Sequence, residues 1–518
     1  TAISPASVLM AKPLNGLFVR RAAFVLGVGT VGTILLKKDE FEKAATGSVR
    51  LGRCVFTVLR VAADYNYNFY WKKWDESSDA YSELLSKVHL RSAERFLKLC
   101  IANGGAFIKV GQHIASLDYL FPQEYTNTLK VLHSDAPSCP YDEIIKVFED
   151  ELKIKPETVF SEFSTIPLGT ASLAQVHKAK LKDGRDVAVK IQLPLVKSHS
   201  SVDIETMEML VNFVIRIFPN FKFKWVAEET RKNLPIELNF INEGLNSEKV
   251  ASLLSNFTWL NVPKVYWDLS TERVLTMEYC EGGKINDLNY MKEHKISPVE
   301  VSWKLGQLYS NMIFTNGFIH CDPHPGNIIV SNDQGKAILT LLDHGLYTTL
   351  SDDFRVNYSN LWVSILCGNL EGIKAGADSL NVGEMYGLLA CIVSGRSWES
   401  IQEGLDRKMK SNESDEIKKN VKLYTSLITT VLDRIPREML LILKTNDLLR
   451  GNESALNTSA SYFSYVTMFK ACVKAVYDER MRKTTSYASA VQIFVGRQIA
   501  QLRILVFQVL CWFRQHGH

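Results

Sequence analysis

Residues 320–327, His-Cys-Asp-Pro-His-Pro-Gly-Asn, carry five side chains that can bind a metal or move a proton. One interpretation is a zinc site, although two prolines stiffen the segment and no second Cys/His pair stands at a suitable spacing. A second is a plain polar turn. A third is the catalytic loop of a phosphotransferase, because His320, Asp322 and Asn327 have the spacing of a protein-kinase loop. We favour the third, in which Asp322 orients the attacking hydroxyl and Asn327 binds Mg²⁺.

Two other segments supply kinase-like partners in the required order. The triplet Asp343-His344-Gly345 follows an apolar run, which places the Asp343 carboxylate at a strand end where it would hold Mg²⁺ against phosphates. Kinases usually carry Phe where His344 stands. Upstream, residues 187–190, Val-Ala-Val-Lys, end a strand. Ala188 would lie under the adenine and Lys190 would reach the phosphates.

A nucleotide loop is predicted before this strand, at residues 169–176. It keeps the first Gly and the final Val of G-x-G-x-x-G-x-V but has Ala where the other glycines belong. Because a Cβ atom restricts positive φ, we expect a stiffer loop with a different approach to phosphate. The residues predicted to bind nucleotide here are Gly169, Thr170, Ala171, Ser172 and Val176.

Two further groups complete the predicted ATP site. Glu237 and Glu243 are the helical carboxylates available to Lys190, and Glu243 is the better match. Residues 277–283, Met-Glu-Tyr-Cys-Glu-Gly-Gly, are typical of a kinase hinge, whose backbone from Glu278 to Cys280 would hydrogen-bond adenine. The predicted cofactors are therefore ATP and Mg²⁺.

The elements that must position these residues follow from periodicity. Residues 81–135 are predicted as helices with a break at 103–105, and 172–192 as a β-hairpin. Helices are expected near 200–217 and 225–255, then short strands at 261–268 and 273–280. After 283 we expect helices almost to the end, apart from the 320–327 loop and a short apolar run at 337–345. A small β-rich unit before a larger helical one is the two-lobed layout of kinases.

Length and composition set wider bounds. A chain of 518 residues favours two or three units. The net charge of +4 gives no argument for nucleic acid as a partner. Nine cysteines, scattered singly, indicate reduced thiols rather than a disulfide framework.

The two ends of the chain suggest contact with a membrane. Residues 1–38 contain no Asp or Glu, and 22–36 form an apolar run shorter than the ~20 residues of a spanning helix. We favour a mitochondrial import segment with a short anchor; a secretory signal and a buried N-terminal helix are the alternatives. The apolar tail at 489–515, with three arginines, is either an amphipathic helix touching lipid or simply the last helix of a domain.

Several motifs together resemble the aarF-domain-containing atypical kinases (the UbiB/ADCK group). Residues 320–327 match the catalytic loop of that family, and Lys109-Val110-Gly111-Gln112 matches its KxGQ signature. The alanine-rich loop corresponds to 169–172, and the ExD motif to 237–239, where Asn239 replaces Asp. Within the family the chain looks closest to the first branch of the animal members, which is mitochondrial.

The resemblance implies an α+β, two-lobed protein-kinase-like fold with a helical N-terminal extension over the active site and a helical C-terminal tail. It implies that Lys109 pairs with Glu237 and Lys190 with Glu243, and that Lys109, Gln112 and Glu237 are regulatory. The implied domains are a targeting segment or anchor, the KxGQ extension, two lobes and a tail, at 1–38, 39–158, 159–280, 281–455 and 456–518.

The function implied is that of a mitochondrial, inner-membrane-associated kinase or ATPase acting in lipid or quinone homeostasis and cristae organisation. Because the KxGQ extension should occlude a peptide groove, a lipid or small-molecule acceptor is favoured over a protein. Two alternatives remain. A small-molecule kinase of the aminoglycoside or choline phosphotransferase type has a similar loop, and a pseudokinase would bind nucleotide and act as a membrane scaffold.

Overall fold

The structure is a computed structural model of the chain. It describes residues 38–70, 74–75, 78–116, 121–133, 138–217, 224–403, 427–428, 430–432, 434–458 and 461–516. The predicted anchor at 22–36 lies outside these residues. None of the helices in the described ranges combines the length and apolar character needed to cross a membrane.

The chain forms two compact units. The first comprises the chain up to Asn242 together with Val265–Tyr279, and the second comprises Glu243–Lys264 together with the chain from Cys280 onward.

Helices dominate the first half of the first unit. They are α1 (Lys38–Tyr65), α2 (Asp79–Asn103), α3 (Ala106–Ala115), α4 (Gln123–Leu129), α5 (Tyr141–Leu152) and the short α6 (Pro156–Val159). Ser78 caps α2 by accepting a hydrogen bond from the Tyr81 backbone N–H, and α2 ends at Gly104, whose φ of 65° suits glycine. These helices confirm the predicted helical extension and its break at 103–105.

A four-stranded antiparallel sheet follows, in the order β1-β2-β3-β5. Its strands are β1 (Phe160–Thr170), β2 (Ala174–Leu181), β3 (Asp186–Gln192) and β5 (Val274–Glu278). The β2–β3 pair confirms the predicted hairpin, which turns at Gly184 with φ of 90°. Val187, Val189 and Ile191 of β3 are fully buried and pack with Phe148 of α5. This core fixes the strand that carries Lys190.

Three helices are inserted between β3 and β5 in sequence. They are α7 (Val196–Ile217), α8 (Lys224–Glu237) and α9 (Phe240–Leu253), and the boundary between the two units falls within α9. They confirm the predicted helices near 200–217 and 225–255.

The second unit contains two small sheets and many helices. One sheet has the strand order β4-β9-β8-β6, and the other pairs β10 with β7. The strands are β4 (Leu260–Asn261), β6 (Gly283–Lys284), β7 (Phe318–His320), β8 (Ile328–Asp333), β9 (Lys336–Leu341) and β10 (Tyr347–Thr349). The helices are α10 (Leu288–Glu293), α11 (Pro298–Ser310), α12 (Asp352–Leu366), α13 (Leu370–Ser379), α14 (Tyr386–Ser394), α15 (Trp398–Glu403), α16 (Arg437–Ala455), α17 (Ser461–Lys483) and α18 (Tyr487–His516).

Two predictions about strands were wrong. Of residues 261–268 only Asn261 belongs to a strand, and Val265 makes a single isolated bridge, since Pro263 has no N–H to give to a ladder. Helices were expected after residue 283, and this prediction missed four strands, β6, β7, β8 and β10. Strand β8 forms a hairpin with β9 around Gln334 and Gly335, both at positive φ, as a tight hairpin turn requires.

The C-terminal helices confirm the predicted helical tail. Helix α18 buries Ile504 against Val466 and Val473 of α17. Together with the helices before β1, this tail gives the mixed α+β architecture that the sequence predicted.

Candidate active site

His320 holds the start of the predicted catalytic loop in place. This buried residue ends β7, and its Nε2 lies 2.7 Å from the Asp343 carbonyl oxygen while its Nδ1 lies 2.8 Å from the Tyr309 hydroxyl. A carbonyl oxygen only accepts, so Nε2 carries the proton and Nδ1 accepts from Tyr309. Burial lowers the pKa of His320. The ring is therefore a neutral bridge that ties the loop to Asp343.

Asp322 and Asn327 lie together, as their spacing predicts. The Asn327 side-chain amide donates to the Asp322 carbonyl oxygen at 3.0 Å and lies 3.4 Å from Asp322 Oδ2. The Asn327 backbone N–H donates to the His324 carbonyl oxygen at 2.8 Å, which closes the turn. Because the Asn327 nitrogen is directed at Asp322, its oxygen is the atom suited to a cation.

The side chains of Cys321 and His324 contact their own segment of the chain. Cys321 is fully buried, and burial raises the pKa of its thiol to about 12. His324 Nδ1 accepts from the Gly326 backbone N–H at 3.2 Å, and burial lowers the pKa of His324. The Cys321 thiol lies 3.4 Å from the Ile319 carbonyl oxygen, so both side chains contact the backbone of their own segment, which favours a shaped loop over a zinc site.

The Asp343-His344-Gly345 triplet follows β9, as predicted. Asp343 Oδ1 accepts from the Gly345 backbone N–H at 2.9 Å, which orients the carboxylate. His344 is buried, donates from Nε2 to the Leu341 carbonyl oxygen at 3.2 Å and accepts at Nδ1 from the Tyr347 hydroxyl at 2.8 Å. His344 thus fills an aromatic position and also makes two polar contacts that Phe could not make.

Helix α9 contacts this triplet through two side chains. The buried Glu243 carboxylate lies 3.5 Å from the His344 backbone nitrogen, and Asn246 donates to the His344 carbonyl oxygen at 3.0 Å. Glu243 belongs to the second unit and Lys190 to the first. The expected Lys190–Glu243 pair stays a prediction.

Lys444 is a functional candidate that the sequence reasoning missed. It lies on α16, and its Nζ is 3.4 Å from Asp322 Oδ1. Asn452 of the same helix donates to the Pro323 carbonyl oxygen at 2.8 Å. A charged Lys directly after the apolar run Met439–Leu443 was the available signal, because burying a lysine in a helix needs a nearby acceptor.

In the first unit, Lys190 stands on β3 within an apolar cluster. Its Nζ lies 5.2 Å from the centre of the Phe240 ring, and the side chain is largely buried. Ala188 and Val176 belong to the same cluster, on neighbouring strands. Val176 lies opposite Lys190 and Ala188 lies opposite Lys178 in the β2–β3 pair, and their contact with adenine stays a prediction.

The residues predicted to bind nucleotide lie at the end of β1, in the short loop that follows it, and in β2. Gly169 and Thr170 end β1, and the Ala171 backbone N–H donates to the Ala174 carbonyl oxygen at 2.8 Å. Ser172 is buried, which limits the hydroxyl contact expected of it. A Cβ atom at Gly169 would meet nothing within 4 Å, so packing does not require glycine there. Phosphate binding by this loop stays a prediction.

The KVGQ segment lies on α3 and makes the predicted pair. Lys109 Nζ lies 2.6 Å from Glu237 Oε2, which confirms that contact. A Cβ atom on Gly111 would lie 2.3 Å from Leu132 Cδ1 and 3.3 Å from Cys100 Sγ, so glycine permits close packing. Gln112 donates to the Leu132 carbonyl oxygen at 2.9 Å. Gly111 and Gln112 therefore hold the segment that presents Lys109, and the regulatory role stays a prediction.

Asn239, which replaces the Asp of the ExD motif, caps the start of helix α9. Its Oδ1 accepts from the Ile241 backbone N–H at 3.0 Å at the start of α9. Asn and Asp cap helices about equally well. The substitution therefore removes a charge while keeping the cap.

The predicted hinge spans the end of β5 and the residues after it. Glu278 is the last residue of β5 and is exposed, and Cys280 Sγ accepts from Asn261 at 3.2 Å. The Tyr279 backbone N–H donates to the Asp186 carbonyl oxygen at 3.3 Å. Adenine binding by the backbone of Glu278 and Cys280 stays a prediction.

The donor set in the second unit suits Mg²⁺ bound together with phosphate. Asp343 offers a carboxylate and Asn327 an amide oxygen, and Mg²⁺ takes one or two such protein ligands besides substrate phosphates. Within the described residues no group of three or more His, Cys, Asp or Glu side chains could hold a metal without such a partner.

Comparisons with known proteins show which proteins this chain is similar to. Residues 131–377 match the family model described as the ABC1 atypical kinase-like domain. The AarF domain-containing protein kinase 1 of chicken is 47% identical over 95% of this chain and 94% of its own length. The AarF domain-containing kinase 1 of Drosophila melanogaster is 47% identical over 90% of this chain and 92% of its own. A Mycobacterium tuberculosis protein solved in complex with erythromycin is 22% identical with a TM-score of 0.48, covering 72% of this chain and 95% of that one.

Proposed function

The chain belongs to the ABC1 family of AarF-domain-containing atypical kinases, and from that premise we propose that it binds Mg-ATP and transfers or hydrolyses its terminal phosphoryl group. The observation that carries the proposal is the turn in which the Asp322 carboxylate lies 3.4 Å from the Asn327 side-chain nitrogen and 3.4 Å from Lys444 Nζ. A carboxylate placed in this way can accept the proton of an attacking hydroxyl or water.

The roles of the other residues follow from their chemistry. Asn327 and Asp343 would bind the Mg²⁺ that arrives with the nucleotide, which neutralises charge on the phosphates. Lys190 would bind the α- and β-phosphates from β3. The His320 side chain contacts the backbone carbonyl oxygen of Asp343 and therefore positions the loop rather than the substrate.

We propose a lipid, a small molecule or water as the acceptor, rather than a protein. Support comes from the Lys109–Glu237 contact, which fits the family arrangement in which the KxGQ extension takes the place of a protein substrate. The biological role proposed is in mitochondrial lipid or quinone homeostasis and inner-membrane organisation. The acid-free residues 1–38 support a mitochondrial location.

Helix α18 supports association with an anionic lipid surface. The residues from 487 to 516 include three arginines and no acidic residue. An apolar stripe on this helix is exposed: Val491, Phe494, Val495, Ile499, Leu502, Leu505 and Val506. Exposed apolar side chains at helical spacing, on a basic helix, are typical of binding at a membrane interface.

Binding of helix α18 to a lipid surface is tested by sedimentation of the protein with vesicles that contain anionic lipid. Replacing both Phe494 and Leu502 with Glu should reduce the bound fraction severalfold, because it removes apolar contact and adds negative charge. The matched control is Gln492→Glu with Gln501→Glu, which adds the same charge at exposed positions of the same helix. Equal binding by the two double variants would contradict a lipid role for the stripe.

Catalysis is tested by ATP hydrolysis with and without these vesicles. We expect turnover that requires Mg²⁺ and is lost in Asp322→Asn. Nucleotide binding without turnover, unchanged by that substitution, would instead favour the pseudokinase scaffold.

A further inference from the structure

Helix α16 runs along the catalytic loop and contacts it through two buried polar side chains. Lys444 reaches the Asp322 carboxylate and Asn452 reaches the Pro323 carbonyl oxygen, two turns apart on one face of the helix. Both side chains are almost fully buried, with Lys444 exposed by 6% and Asn452 by 2%. The helix therefore delivers a cation to the base of the predicted reaction.

A second buried lysine shows what an ordinary structural lysine looks like in this unit. Lys304, exposed by 4%, places its Nζ 2.6 Å from Glu300 Oε1 and 2.6 Å from the Ala337 carbonyl oxygen. Lys444 Nζ, by contrast, lies 3.4 Å from Asp322 Oδ1. An ammonium group has three donors, and within the part of the chain that the structure describes Lys444 retains donor capacity directly beside the Asp322 carboxylate.

The loop itself carries no cation for a phosphoryl group. No Lys or Arg occurs between residues 311 and 335. Phosphoryl transfer depends on positive charge near the equatorial oxygens of the transferred group. A buried, water-poor position strengthens the attraction that one ammonium group gives.

We propose that Lys444 binds the terminal phosphoryl group of Mg-ATP beside Asp322, which rests on the proposed function. As the bond from the acceptor oxygen to the γ-phosphorus forms, the bond from that phosphorus to the β,γ-bridging oxygen breaks. The acceptor proton passes to Asp322, and ADP leaves with the electron pair of the broken bond.

The test compares affinities for a triphosphate and a diphosphate. Calorimetry with Mg-AMP-PNP and with Mg-ADP gives the ratio of the two dissociation constants for the wild type, Lys444→Met and Lys444→Arg. In Lys444→Met we expect the preference for AMP-PNP to fall about tenfold, with the affinity for ADP unchanged. Lys444→Arg, which keeps the charge, should retain most of the preference. Lys336→Met removes a lysine from an exposed position of the same unit and should change neither affinity.

An unchanged affinity ratio in Lys444→Met would overturn the role of Lys444.

Failure of this proposal and failure of the proposed function are distinguishable. If the affinity ratio depends on Lys444 but wild-type turnover is absent, Lys444 recognises the γ-phosphate in a protein that does not catalyse. If turnover depends on Asp322 but neither the ratio nor kcat depends on Lys444, the catalytic assignment stands and Lys444 is only a structural ion-pair partner.

Discussion

Two buried Tyr–His pairs with the same chemistry serve different parts of this chain. In the first unit the Tyr65 hydroxyl lies 2.5 Å from His89 Nδ1, between α1 and α2. In the second unit the Tyr309 hydroxyl lies 2.8 Å from His320 Nδ1. The two pairs differ at the second ring nitrogen. His320 Nε2 also donates to the Asp343 carbonyl oxygen at 2.7 Å.

The surroundings explain what each pair does. Tyr65 also contacts the Tyr125 hydroxyl at 3.3 Å, so the first pair ties helices α1, α2 and α4 together. The second pair connects α11 to the catalytic loop and to the residue predicted to bind Mg²⁺. One motif therefore stabilises a helical layer in one place and holds the predicted catalytic loop in the other. Burial and pairing with a tyrosine do not distinguish the two histidines. The contact made by the second ring nitrogen does.

Removing the hydroxyl of the second pair should have the larger effect on activity. In Tyr309→Phe the buried His320 Nδ1 loses its donor, and an unsatisfied buried polar atom costs about 1–3 kcal/mol. If that cost appears as misalignment of the loop, kcat for Mg-ATP should fall about tenfold. Turnover per folded molecule, with folding checked by thermal unfolding, measures it.

Tyr65→Phe is the matched control for that comparison. It removes the same hydroxyl from the first pair and should lower the melting temperature while leaving kcat within twofold of the wild type. Equal losses of kcat in the two variants would break the distinction between the structural and the aligning pair.

Lowering the pH should reduce the stability of the folded chain through His89 of the first pair, with a smaller effect on activity. Burial lowers the pKa of His89 from its ordinary value of 6.5 to about 4. The unfolded chain takes up this proton near pH 6.5 while the folded chain does not. Stability is therefore complete above pH 6.5 and declines as the pH falls toward 4, by about 3 kcal/mol from this residue.

Denaturant unfolding of the wild type and of His89→Gln between pH 7 and 4 measures this contribution. The free energy of unfolding of the variant should depend less steeply on pH, because glutamine does not titrate. Parallel curves for the two proteins would contradict the assignment of the buried neutral ring to His89.

Local patterns predicted the placement of the candidate site residues better than they predicted long-range contacts. Asp322, Asn327 and Asp343 follow from spacing within single loops, and the β2–β3 hairpin follows from alternation around Gly184. Lys109–Glu237 came from the family resemblance, because nothing local joins residues that far apart.

Contacts made by distant elements could not be predicted in this way. Lys444 reaches Asp322 from 122 positions away, and no periodic pattern relates α16 to the loop. The prediction of a short strand at 261–268 was wrong because β-branched residues suggested a strand that Pro263 prevents. Strand β8 was missed because the catalytic-loop motif ends at Asn327, directly before the strand begins.

The most direct test of the catalytic account is steady-state ATP turnover by the wild type, Asp322→Asn and Asp333→Asn, with nucleotide affinity measured on the same samples. Asp333 is exposed at the end of β8 and provides the same chemical change outside the loop. We expect Mg²⁺-dependent turnover in the wild type and in Asp333→Asn, and a loss of at least about a hundredfold in Asp322→Asn with nucleotide still bound. Turnover in Asp322→Asn equal to that of Asp333→Asn would contradict it.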